Sequence, residues 1–126
     1  MSIFVRKSDE YNVNFFVGTL AGKTVFYRTE TEAEEALGKG GFDPHSLTCR
    51  PLSYAASMKV QETSLRNDDG RLVFDPIKFR SARFRQSVIG WSFKDEEGKT
   101  VPVNDDTIGS LSEDAAIFLM NLLNDR

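Results

Sequence analysis

The chain has 126 residues, 40% of them hydrophobic and 28% charged, which is enough for one domain with a buried core. Ten phenylalanines argue against disorder, and no apolar run approaches the roughly 18 residues of a membrane-spanning helix. The net charge of −3 is unevenly spread: residues 71–91 hold five basic residues against one acidic, and residues 92–126 hold three basic against eight acidic.

A basic segment beside an acidic one is expected mainly to pair internally. It can also leave opposed faces for a partner or for a second copy, as in a homo-oligomer. Cys49, the single cysteine, excludes an internal disulfide and suits a reducing compartment. The stretch Met1-Ser2-Ile3-Phe4-Val5-Arg6-Lys7 lacks the basic start and long apolar run of a signal peptide.

In chain order, Ile3–Val5, Val13–Val17 and Thr24–Tyr27 read as three short strands punctuated by Gly18 and Ala21-Gly22. Such short links join only antiparallel neighbours, so an antiparallel meander is expected. Thr29–Leu37 reads as a short helix with an acidic face of Glu30, Glu32, Glu34 and Glu35, stopped by Gly38, Gly40 and Gly41. Residues 46–51 look extended. Ser53 is placed to cap a helix over 54–65, with Ala55, Met58, Glu62 and Leu65 on one side. Asn67-Asp68-Asp69-Gly70 is a turn and a candidate mobile loop.

Asp75-Pro76 is a helix start, with a capping carboxylate followed by a proline at the first helical position. From there Ile77, Phe84, Val88 and Trp91 recur at steps of seven, four and three, so one helix is expected from Pro76 to Trp91. Lys78 and Arg85 flank that stripe on one side, Arg80 and Arg83 on the other. Trp91–Phe93 and Val101–Val103 alternate around an acidic turn, as a hairpin or an extended arm. A last helix starts at Ser110 or at the competing Ser112, with Ala116, Leu119, Met120 and Leu123 on its apolar face. The expected class is α+β in a single domain, residues 1–50 mainly β and 51–126 mainly α.

Reactive constellations are sparse. One histidine, His45, excludes a multi-histidine metal site. His45 and Cys49 on one strand would stand roughly 13 Å apart, too far to act together. The glycines at 38–41 follow a helix and lack the Gly-Lys-Ser/Thr of a phosphate loop. The residues after Gly70 supply no oxygen ligands for calcium. Adjacent carboxylates such as Asp105-Asp106 belong to turns and caps. No catalytic residue, cofactor or metal is therefore expected.

Two binding readings remain. Arg71–Arg85 interleaves five basic residues with Phe74, Phe79 and Phe84, which suits nucleic acid, but an isoelectric point near 5.2 disfavours it. The same residues suit a protein interface, where Trp and Arg concentrate. The expected contact residues are Ile77, Arg80, Arg83, Phe84, Trp91 and Phe93.

The C-terminal half, over residues 48–126, resembles the tail assembly chaperones of long-tailed bacteriophages. The resemblance rests on Val88-Ile89-Gly90-Trp91, on the acidic turn Asp95-Glu96-Glu97-Gly98-Lys99 and on the arm Val101-Pro102-Val103. It extends through Asp105-Asp106-Thr107-Ile108, Leu111-Ser112 and, upstream, Arg50-Pro51-Leu52-Ser53-Tyr54. It implies a non-catalytic protein that coats the tape measure protein in the host cytoplasm until tail tube subunits displace it. In such families a longer form is often made by translational frameshifting. Alternatives are a structural tail or neck subunit of the virion and a nucleic-acid-binding regulator.

Overall fold

The computed structural model describes residues 3–125. Met1 and Ser2, part of the N-terminal reading, and Arg126, one of the C-terminal bases, lie outside them. The class is α+β, with an antiparallel sheet followed by several helices.

Strand β1 (Tyr11–Leu20) turns back through Ala21-Gly22 into β2 (Lys23–Tyr27). Both turn residues have positive φ, 52° and 79°, the primed two-residue turn that matches strand twist. Helix α1 (Glu30–Leu37) is stopped at Gly38, φ 80°, as the sequence implies, and Thr29, expected as its first residue, instead caps it through its hydroxyl. The third strand of the antiparallel sheet is β3 (Phe42–Cys49), paired with β1 on the side away from β2, so β1 lies in the middle where the expected meander would put β2. Ile3–Val5, expected as a strand, is none; Ile3 is 89% exposed. Three residues offer too few ladder bonds to compete with the eight-residue β3.

Helix α2 (Tyr54–Thr63) is capped by Ser53. Its buried side is Val60 with half-buried Ala56 and Ser57, whereas Ala55, Met58 and Glu62 face out. The expected side is therefore the wrong one. Leu65 instead opens a two-stranded hairpin of β4 (Leu65–Asp68) and β5 (Arg71–Phe74), around a primed turn at Asp69-Gly70.

Helix α3 (Pro76–Ser87) begins as expected, with Asp75 Oδ1 accepting from the amides of Ile77 and Lys78 at 3.0 and 3.3 Å. It ends four residues early. Val88–Trp91 form β6, antiparallel to β3 and completing the sheet order β2-β1-β3-β6. Val88 faces Cys49 and Trp91 faces Leu47, with two residues of β6 opposite Thr48 alone. That bulge turns residues three apart to the same face. The helical spacing of Val88 and Trp91 was thus produced by an irregular strand.

After β6 the chain folds back as a hairpin: Val101 N donates to Phe93 O at 2.9 Å and Asp95 N to Lys99 O at 2.8 Å. Trp91 Nε1 donates to Val101 O at 2.7 Å and pins the arm. Helix α4 (Asp105–Gly109) follows, capped by Asn104. Helix α5 (Glu113–Asn124) is capped by Ser112 rather than Ser110, whose hydroxyl closes α4 by donating to Asp106 O.

The core lies between one face of the sheet and helices α3 and α5. Val13, Phe15, Leu47, Cys49, Phe84, Val88, Trp91, Leu119 and Leu123 meet there. On the opposite face α1 packs over β1, with Leu37 so close to Gly18 that a Cβ at that position would overlap the Leu37 side chain.

Candidate partner-binding surface

The β4–β5 hairpin has an apolar face open to solvent. Its register pairs Leu65 with Phe74 and Asn67 with Leu72. Directly opposed residues share a face, and so do residues two apart. Leu65, Leu72 and Phe74 therefore stand on one side, with Arg66, Asp68, Arg71 and Val73 on the other. Leu72 is 73% exposed, Phe74 55% and Leu65 40%. The hairpin is held at its base, where Asp75 N donates to Ser64 O at 2.7 Å, and by the Phe74–Phe79 ring contact at 5.6 Å.

From Leu65 the surface continues into an open groove of about 780 Å³ between α2 and α3, with Leu65, Ile77 and Ala82 in its lining. Ile77 is 75% exposed. The cations lining this groove are Lys59, Lys78 and Arg85. Arg85 is bound by Asp105, Nη1 to Oδ1 2.6 Å, and is the one residue of the basic segment that meets an acid among the described residues. The expected internal pairing of basic and acidic segments is therefore confined there to a single bridge. Arg28–Asp125, at 2.7 Å, ties the sheet to the end of α5 instead.

The six expected contact residues part company. Ile77 lies on the open surface. Arg80 is exposed and Arg83 half-buried, but neither lines the groove. Phe84, fully buried, and Trp91, 6% exposed, belong to the core and cannot anchor a partner on α3. Phe93 is half-buried in a cluster of rings with Phe15, His45 and Trp91, at centroid distances of 5.2–5.8 Å.

Comparison with known protein families, with curated proteins and with solved structures gives no match.

Phe93 and Trp91 do reach a second, smaller groove of about 440 Å³, between the sheet and the α4–α5 turn. Phe26, Val101 and Leu111 share it, with His45 at its wall. His45 Nδ1 lies 2.9 Å from Ser92 Oγ, which also accepts from Ser46 N at 2.9 Å. With that lone pair engaged, the serine hydroxyl is free to donate to a neutral imidazole. Burial lowers the His45 pKa from its ordinary 6.5, and the nearby Asp43 carboxylate opposes the shift only in part. His45 and Cys49 share the core-facing side of β3, and the Cys49 thiol is buried.

The hairpin face was missed in the sequence because four-residue strands are too short to show alternation. The signal available was Asp69-Gly70 between Leu65 and the run Leu72-Val73-Phe74, an aspartate–glycine turn flanked by apolar residues.

Proposed function

We propose that this protein binds another protein and performs no chemistry of its own. Its client is the tape measure protein of a long-tailed bacteriophage, held in the host cytoplasm during virion assembly as a tail assembly chaperone holds it. The observation that carries this reading is the exposed apolar face of Leu65, Leu72 and Phe74, continuous through Leu65 with the Ile77 groove. An uncovered patch of this kind on a small domain marks a binding surface. A groove between two helices suits the apolar stripe of an amphipathic client helix, and the cations at its rim keep the complex soluble. The resemblance of residues 48–126 supplies the identity of the client. Among the described residues no helix is long and apolar enough to cross a membrane.

The test is co-purification from infected cells with this chain as bait, beside the double variant Leu72→Asp, Phe74→Asp. The wild type is expected to retain the tape measure protein and the variant to lose it while keeping its fold. Recovery of DNA alone would remove the reading. Detection of this chain in purified particles would favour a structural tail or neck subunit instead.

A further inference from the structure

The hairpin has a second property that its apolar face does not use. In a two-residue primed turn the flanking residues exchange hydrogen bonds, so Asp68–Arg71 and Arg66–Val73 are the bonded pairs of the ladder. The Asp75 N to Ser64 O bond continues that alternation. The backbone groups of Leu72 and Phe74 therefore point outward along β5, and those of Leu65 and Asn67 outward along β4. Among the described residues no backbone bond reaches them. An exposed strand edge of this kind is a template for another strand.

We propose that two copies of this chain join edge to edge along β5, antiparallel about a two-fold axis through Val73, giving a continuous four-stranded sheet. Only one antiparallel register satisfies the outward groups of both edges: Leu72 faces Phe74 of the second copy and Phe74 faces its Leu72, with two reciprocal bonds each. That register sets Val73 against Val73 and Arg71 against the second copy's Asp75. The arginine is exposed. The Asp75 carboxylate spends Oδ1 on the α3 amides and leaves Oδ2 for a cation. Charge complementarity is thereby repeated twice about the axis.

The β4 edge lacks this fit. The equivalent register there opposes Arg66 to Arg66, and like charges directly opposite destabilise a pair. The β5 union is isologous and closes on itself, so it stops at two copies. It also joins two Leu72–Phe74 faces into one platform twice as long. That last consequence rests on the client-binding reading; the dimer does not.

The contact is small, so a weak and concentration-dependent dimer is expected. Sedimentation of the purified chain across a range of concentrations should show monomer and dimer and no larger species. Arg71→Asp is expected to weaken dimerisation by roughly tenfold. Asp75→Asn, which keeps the helix cap, should weaken it less, and Arg66→Asp should not weaken it.

Register is read directly by Val73→Cys. Opposed residues at a non-bonded position are within disulfide range, so mild oxidation should give a covalent dimer. Arg66→Cys should stay monomeric, and buried Cys49 should not compete. Circular dichroism of each variant confirms that the fold is kept. A monomer at every concentration, cross-linking through Arg66→Cys as fast as through Val73→Cys, or an open series of larger species would each overturn the proposal. None of these results requires a client, so they are independent of the co-purification test.

Discussion

Phe84 and Ile77 lie seven residues apart on α3 and read as one stripe, yet the structure gives them opposite roles. Phe84 is fully buried against the sheet and α5, whereas Ile77 is 75% exposed. Truncating a buried phenylalanine removes its transfer free energy and leaves a cavity, a loss of about 3–5 kcal/mol. A domain of this size has on the order of 5–15 kcal/mol in total, so Phe84→Ala should come close to unfolding it. Ile77→Ala should stay within about 0.5 kcal/mol of the wild type. With a urea slope of about 2 kcal/mol/M, the midpoint falls by about 2 M for Phe84→Ala and by about 0.3 M or less for Ile77→Ala. Trp91, the single tryptophan and 6% exposed, reports the transition by fluorescence, and far-UV circular dichroism gives a second probe. Equal losses from the two variants would refute the division of this helix into core and surface. So would a loss below about 1 kcal/mol for Phe84→Ala.

Three further outcomes follow from local geometry. Ala21 sits at φ 52° in the β1–β2 turn, where a side chain costs about 1–2 kcal/mol; Ala21→Gly should raise the urea midpoint, and a lowered midpoint would contradict the turn assignment. The Asp75 cap should cost about 1 kcal/mol when replaced by alanine and much less when replaced by asparagine, measured by the same denaturation. The His45 pKa is depressed in the folded chain, so the unfolded state takes up a proton first as pH falls. Stability should be complete above the ordinary imidazole value and decline as pH drops through the lower folded one; His45→Gln should flatten that decline, and an unchanged profile would assign it to other groups.

Much of the fold was legible where a single local rule decides it. Ser53 and Asp75 cap helices as their hydroxyl and carboxylate chemistry implies, Ser112 is the one of two expected starts that caps the last helix, and Ala21-Gly22 turns a hairpin. The errors came where two structures produce one spacing. Val88 and Trp91 satisfy a helical step and also a bulged strand, and only pairing with Leu47 and Cys49 decides between them. For α2 the apolar residues Met58 and Leu65 pointed away from the true core side, because Val60 with Ala56 and Ser57 supplies it. The candidate surface was legible only in part. Ile77, expected on one stripe with Phe84 and Trp91, is exposed while they are buried, and Leu65, Leu72 and Phe74 draw their meaning from a hairpin register that no helical or long-strand period reveals.

The proposed client lies across the hairpin face and the adjoining groove. A photo-crosslinking amino acid at Leu72, compared with one at exposed Lys94 on the other hairpin, in cells also making the tape measure protein, decides whether it does. Adducts of that protein from position 72 and none from position 94 are predicted. Adducts from position 94 alone, or from neither, would mean that no client lies on this face.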